Sequence, residues 1–293
     1  MLNQVLQLAL SGVAIGSVYG LIALGFVLVY KATEIINFSQ GELMMLGAFA
    51  GFTFVSLLGL PYWVSFILSI AFMFLIGVLL DLIVLRRILG HSAFSIIMVT
   101  IGFGYFMRGI VSMIPAWGTD TYNLPTPFSG SVLRFGGLAL SGEYLSVIVM
   151  TIIICVILFC FFKWSRVGVA MQASSQNQLA AYYMGIPVRR VNTLTWGICA
   201  AAATFAGILL APITFVHSNM GFVGLKAFPA AVLGGFGSLP GAIAGGIIIG
   251  LIESFSGFYL PEGIKDISAY VVLLIVLVIK PNGLFGERLT KKV

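Results

Sequence analysis

Charge is what this sequence has least of. Of its 293 residues, 8% are Asp, Glu, Lys or Arg and 60% are hydrophobic. A soluble domain carries about 25% charged residues. So few charges cannot build a water-facing surface, which excludes a soluble enzyme or a nucleic-acid-binding module and makes lipid the solvent for much of the chain. Cysteine is scarce too. Cys155, Cys160 and Cys199 sit in apolar runs without metal or redox spacing, and read as small apolar residues. The two histidines, His91 and His217, lie far apart, and no Ser/His/Asp, Cys/His or H-E-x-x-H arrangement accompanies them. The sequence thus offers no catalytic residue, no metal set and no cofactor motif. It also lacks a Walker A pattern, so any ATP driving this chain must bind to another subunit. The start does not read as a secretory signal, and the first span is expected to be retained: Met1–Gln7 has no Lys or Arg, and the apolar run continues to Tyr30, too long for a signal's core.

What the sequence has is long apolar runs, at about 6–30, 36–58, 62–85, 93–114, 144–162, 191–216, 223–236, 239–260 and 267–280. At about 20 residues per crossing these predict an all-α polytopic membrane bundle of roughly eight or nine spans. No hydrophilic stretch is long enough to fold separately, so residues 1–293 read as one transmembrane domain. Short cytoplasmic loops collect Lys and Arg. Lys31, Arg86, Arg87, Lys163, Arg166, Arg189, Arg190, Lys280, Arg288, Lys291 and Lys292 fall in alternate connections and the C-terminal tail. Arg134, Lys226 and Lys265 fall on the other side. The expected topology is an outside N-terminus and a cytoplasmic C-terminus. The net charge of +6 therefore reports topology rather than a nucleic-acid partner.

Three constellations stand out. Ile36-Asn-Phe-Ser-Gln-Gly-Glu42 places Asn37, Ser39, Gln40 and Glu42 before an apolar span. Ser39 with Glu42 has capping-box spacing; the same residues suit a half-helix N-terminus facing a polar substrate. Gly-Gly-Phe-Gly-Ser-Leu-Pro, holding Gly234, Gly235, Gly237 and Ser238, cannot continue a helix through Pro240, so a broken or re-entrant element is expected there. If 217–266 held a single span, the basic C-terminal tail would end outside. Lys163–Asn192 is the most polar long stretch, with four basic residues and no acid. Ala170–Tyr183 reads there as a short helix ended by Gly185 and Pro187, either a solvated loop or a docking element on the cytoplasmic side. Gly12, Gly16 and Gly20 form a stripe that lets a second helix approach closely, and Gly241/Gly245 and Gly246/Gly250 repeat it. Of the isolated ionisable residues, Asp81 and Glu253 are expected near span ends meeting water, whereas Arg108 lies deeper and requires a partner or snorkelling.

These segments resemble the inner-membrane permeases of branched-chain amino acid ABC importers, the LivH type, essentially end to end. Gly16-Ser-Val-Tyr-Gly-Leu-Ile-Ala-Leu-Gly25 is similar to the family's first span. Ile36-Asn-Phe-Ser-Gln-Gly-Glu-Leu-Met-Met-Leu-Gly47 resembles its I-N-F-A-[HQ]-G-E signature. The stretch from Lys226 to Gly241 resembles its most specific one. Arg166-x-Gly168, Leu179-Ala-Ala181 and Gly185-Ile186 are similar to its cytoplasmic coupling segment.

The resemblance implies a second homologous permease, two cytoplasmic ATP-binding subunits and an extracytoplasmic substrate-binding protein as partners. It implies that Arg166, Gly168, Ala180, Ala181, Gly185 and Ile186 serve ATPase coupling. By the same match, Asn37, Ser39, Gln40, Glu42, Gly234, Gly235, Gly237 and Ser238 sit near the translocation path. Ser174-Ser-Gln-Asn-Gln178 departs from the family's often acidic loop, which puts any specific salt bridge there in doubt. Urea and short amides are alternative substrates within the family. An autonomous secondary transporter is the alternative from another class; it would need ion-coupling groups, for which Arg108 is the only deep candidate. Two broken elements in opposite halves suggest inverted repeats.

Overall fold

The computed structural model describes residues 2–88, 92–135, 138–261 and 263–286. His91, Arg288, Lys291 and Lys292 lie outside them. Helix α1 (Leu2–Thr33) meets no charge before Lys31, and from Ala14 onward nearly every side chain is buried. In lipid such all-round burial means a helix surrounded by other helices. Its main partner is α10 (Leu239–Tyr259). Gly12 faces Gly250 and Leu251, Gly16 faces Gly246 and Ile247, and Gly20 faces Ile243, so the two run antiparallel with backbones in contact. A Cβ at Gly16 would stand 2.7 Å from the Gly246 carbonyl oxygen, which leaves room only for glycine.

The second buried helix is α8 (Val188–Thr214). It packs along α2 (Gln40–Phe52) and α3 (Tyr62–Ile83) through further small residues: Gly47 on Thr204, Gly207 on the Met44 carbonyl, Gly77 on Trp196 and Gly197. Around this core stand α3, α4 (Ala93–Met113), α5 (Gly142–Trp164) and α11 (Ile264–Ile279). They turn Ile67, Phe94, Ile152 and Val278 outward, more than half exposed. Exposed apolar side chains on nearly uncharged helices are what lipid contact requires. Between α5 and α8 come two short helices, α6 (Arg166–Gln176) and α7 (Gln178–Tyr183). A hairpin of β1 (Val132–Phe135) with β2 (Leu138–Ser141) precedes α5.

Seven helical stretches among the described residues are long and apolar enough to cross a membrane, namely α1, α2 with its π-turn to Leu57, α3 with the turn to Arg87, α4, α5, α8 and α10. The π-turn at Thr53–Leu57 coincides with Thr53 Oγ1 bonding back to the Phe49 carbonyl at 2.8 Å while accepting the Trp117 indole N–H at 2.8 Å.

Helix α9 (Phe222–Gly234) is shorter, 13 residues or about 20 Å. The non-helical stretch before it pairs Val216 with Tyr122, whose ring lies 4.6 Å from that of Phe52 at the far end of α2. The other end of α9 reaches Gly241 and, across the break, Leu239, which lines a small cavity with Leu28 and Lys31. Residues 216–234 therefore run from one end of the bundle to the other with only their second part helical. The break is made by Gly235 at φ 93°, and Ser238 caps α10 by accepting the Gly241 N–H at 3.1 Å. The chain returns there after α11: the Leu284 and Phe285 N–H groups donate to the Leu233 and Gly234 carbonyls at 2.8 and 3.2 Å, supplying partners that the end of α9 lacks.

Candidate functional site

Helices α2 and α9 both start inside the bundle. The contact of Gln40 with Gly25 lies six residues, about 9 Å, in from Lys31. Gly41 of α2 packs on Gly221 and Gly224 at the start of α9, backbone on backbone, so a side chain at any of the three would separate the helices. Two helix N-termini, each a positive dipole end, thus meet inside the bundle, although the first N–H groups of α9, at Phe222, Val223 and Gly224, turn back to the Asn219, Met220 and Gly221 carbonyls.

Four polar residues fill this junction. Asn37, Ser39 and Gln40 are fully buried. The Ser39 N–H and hydroxyl donate to Asn37 Oδ1 at 3.0 and 2.6 Å. Gln40 Oε1 accepts from Asn37 Nδ2 at 3.3 Å and from the Cys199 thiol at 2.8 Å. Thr100 Oγ1 accepts the Phe38 N–H at 3.3 Å. Glu42 forms an ion pair with Arg108 of α4 and lies against Gly221, and the Arg108 guanidinium stands 4.1 Å above the Phe222 ring. Glu42 Oε2, Arg108 Nε and Gln40 Nε2 are buried with no hydrogen-bond partner. An arginine this deep would be costly alone; the carboxylate and the ring offset that cost.

Several sequence expectations change here. The capping box does not form: Ser39 is the N-cap of α2 without a side-chain cap bond, because its hydroxyl turns to Asn37 and Glu42 turns to Arg108. Asp81 and Glu253 do not meet water; they are 1% and 4% exposed. Asp81 accepts from Thr193 Oγ1 at 2.5 Å. Glu253 accepts from the Tyr19 hydroxyl at 2.5 Å and from Lys226 at 3.4 Å, and Lys226 also donates to Asp266 at 2.5 Å, joining α1, α9, α10 and α11. Gly234, Gly235, Gly237 and Ser238 are not gathered with Asn37–Glu42. They lie at the opposite end of α9, where Gly235 packs on Asn282 and Gly286.

The segment after α5 is built differently. The 170–183 helix is two helices, parted at Asn177, whose extended backbone (φ −160°) ends α6 while its side chain caps α7 by accepting the Ala180 N–H at 2.9 Å. Ser165 caps α6 by accepting the Gly168 N–H at 2.8 Å, and Gly168 packs on the backbone of Phe161 and Phe162. Gln178 Nε2 donates to the Ala32 carbonyl at 2.8 Å, fastening α7 to the end of α1. Ala181 is buried, Gly185 takes φ 81°, and the Ile186 N–H closes on the Ala181 carbonyl at 3.0 Å. The outer face is apolar: Leu179, Tyr182, Tyr183 and Met184 are 67–83% exposed. Sequence reasoning placed Leu179 in the coupling segment and Tyr182 and Tyr183 in its helix, but missed that these three and Met184 form one apolar outer face, because the segment's polar composition drew attention to its charges. Gly221 and Phe222 were missed as well; the signal was the need of Arg108 for a partner.

Comparison with known proteins follows this geometry. Residues 8–279 match the family described as branched-chain amino acid transport system / permease component. The chain is 32% identical over 302 aligned positions to the high-affinity branched-chain amino acid transport system permease protein LivH of Salmonella typhimurium, covering 98% of this chain and 97% of that one. It is equally similar to LivH of Escherichia coli strain K12. It is 31% identical to the corresponding protein BraD of Pseudomonas aeruginosa, covering 98% of both chains. Among solved structures, PsaBC from Streptococcus pneumoniae in complex with Fab shares the fold, with a TM-score of 0.51 at 16% identity over 94% of this chain and 91% of that one. The match over almost the whole length, on an all-α membrane bundle, makes this chain a member of the branched-chain amino acid transport permease family.

Proposed function

We propose that this chain is a transport subunit, not an enzyme: one half of the membrane channel of an ATP-driven importer, moving branched-chain or other amino acids across a bacterial inner membrane. The observation that carries the reading is the meeting of α2 and α9 inside the bundle, in a chain whose whole length matches amino acid permeases. Asn37, Ser39, Gln40 and Glu42, with Arg108, line the path there. A zwitterionic amino acid suits a site offering one carboxylate and one guanidinium, each with an unpartnered atom. Gly234, Gly235, Gly237 and Ser238 border the path at the end where α9 gives way to α10. Urea and short amides lack the paired charges that this site matches.

The chain works with a second homologous permease, two cytoplasmic ATP-binding subunits and an extracytoplasmic substrate-binding protein, in the orientation set by its positive charges. Arg166, Gly168, Ala180, Ala181, Gly185 and Ile186 shape the element on which an ATP-binding subunit pushes, and Leu179, Tyr182, Tyr183 and Met184 make the contact. Gln178, bonded to the end of α1, carries the push into the bundle. The test is purification of the chain from its native operon, with ATPase assay of the eluate. Co-eluting ATPase activity, stimulated by a binding protein with a branched-chain amino acid, supports the proposal. A chain that elutes alone and moves solute in vesicles without ATP refutes it in favour of a secondary transporter.

A further inference from the structure

A groove of about 860 Å³ runs between α1, α5, α6 and α10, away from the α2–α9 junction. Its walls are apolar, formed by residues such as Leu24, Ile148, Ile152, Val156 and Ile243. Its one strongly polar end is made by Lys31, Lys163, Gln172 and Ser238. The two lysines are neighbours through their helices, since Leu28 and Phe162, within a turn of each, pack in one cluster. Among the described residues neither lysine has an ion-pair partner. Lys163 instead lies 5.4 Å from the centre of the Phe159 ring and 5.9 Å from that of Trp164. The N-terminus of α10, capped by Ser238, adds a positive dipole end to the same place.

We propose that this groove binds an anionic phospholipid, with its acyl chains on the apolar walls and its phosphate between Lys31 and Lys163. The occupant follows from charge. Two uncompensated cations and a helix N-terminus at one end of an apolar trough complement one phosphate, and basic pockets at the cytoplasmic ends of membrane helices hold such head groups. A protein helix in the trough would bury both lysines and need acids of its own to offset them. Length permits it: Ile148 to Lys163 spans about 22 Å of α5, more than one leaflet of a roughly 30 Å hydrocarbon core, so acyl chains extending from the two lysines stay within the groove. The groove also touches Val169 and Gln172 of α6 and the Gly237–Pro240 break, so a bound lipid braces both the coupling element and the α9–α10 turn.

The test is native mass spectrometry of the full chain, purified in detergent and offered phosphatidylglycerol and phosphatidylcholine with identical acyl chains. This readout is independent of transport. The wild type retains phosphatidylglycerol over phosphatidylcholine. Lys31→Gln and Lys163→Gln each weaken that retention about fivefold and the double variant about thirtyfold, at one lysine's usual contribution near a membrane surface. Arg189→Gln/Arg190→Gln, equally basic but outside the groove, leaves it unchanged. Val156→Trp, which fills the trough without touching charge, lowers retention of both lipids. Equal retention of the two lipids by the wild type, or undiminished phosphatidylglycerol on the double lysine variant, overturns the proposal. Cross-linking of Ile152→Cys to another protein in intact membranes overturns it too, by making the occupant a protein.

Discussion

Removing Arg108 should damage the protein more than removing Glu42, and the difference can be worked from the junction. Both side chains are nearly buried, 16% and 13% exposed. Arg108→Gln leaves the Glu42 carboxylate against the Gly221 backbone with no cation. Breaking a buried pair in this way costs about 3–5 kcal/mol. Glu42→Gln leaves Arg108 its place 4.1 Å above the Phe222 ring, with Tyr105 at 5.7 Å. A desolvated cation–π contact recovers roughly 2 kcal/mol, so this variant should lose only about 1–3 kcal/mol. The double variant has no stranded charge and should resemble Glu42→Gln, giving a coupling of about 3–5 kcal/mol, the whole loss of the Arg108→Gln single variant. The assay is thermal unfolding of the four proteins in one detergent. At about 2 °C per kcal/mol for a chain of this size, Arg108→Gln should fall by roughly 6–10 °C and the double variant by roughly 2–6 °C. Additive losses, agreeing within about 0.5 kcal/mol, would show that the two side chains do not act as a pair and refute the reasoning.

Three further outcomes are expected. Gly16→Val should sharply reduce the folded, membrane-inserted yield, because its Cβ meets the Gly246 and Ile247 backbone, whereas Gly102→Val, with nothing within 4 Å, should not; fluorescence-detected gel filtration compares them. Gly185→Pro, which removes the N–H donated to the Tyr182 carbonyl and demands φ near −65° where the chain has 81°, and Ala181→Asp, which buries a charge, should each abolish transport while leaving insertion intact; uptake that persists unchanged in both removes the coupling role. Gly235→Val forces a side chain to φ 93° and against the Gly286 N–H, so protease cleavage after residue 280 should quicken; unchanged cleavage would mean the returning segment does not depend on the break.

Hydropathy made most of the spans legible, because twenty apolar residues in lipid have few alternatives to a helix. The helix stop at Gly234–Pro240 was legible for the same local reason: glycine and proline act on their own backbone. Features requiring a partner distant in sequence were not. Glu42 has the spacing of a cap, but an arginine 66 positions later is the stronger partner for a carboxylate in a dry site. Asp81 and Glu253 lie near the ends of apolar runs, yet neighbouring helices reach past them and supply Thr193, Tyr19 and Lys226 instead of water. The break at Asn177 was hidden because Ser174-Ser-Gln-Asn-Gln178 holds no glycine or proline to stop a helix, and only the side-chain cap on the Ala180 N–H reveals it. The two polar signatures, read together as bordering one path, are separated by the length of α9, which a sequence without contacts does not convey.

The central claim is tested most directly by measuring uptake of radiolabelled branched-chain amino acids into proteoliposomes. One set holds this chain with its second permease, the ATP-binding subunits and the binding protein; another holds this chain alone. The account predicts uptake in the first set only, dependent on ATP inside and binding protein outside, and lost in Arg108→Gln. Accumulation of the amino acid by the chain alone, driven by an ion gradient or simply down its own, would contradict it.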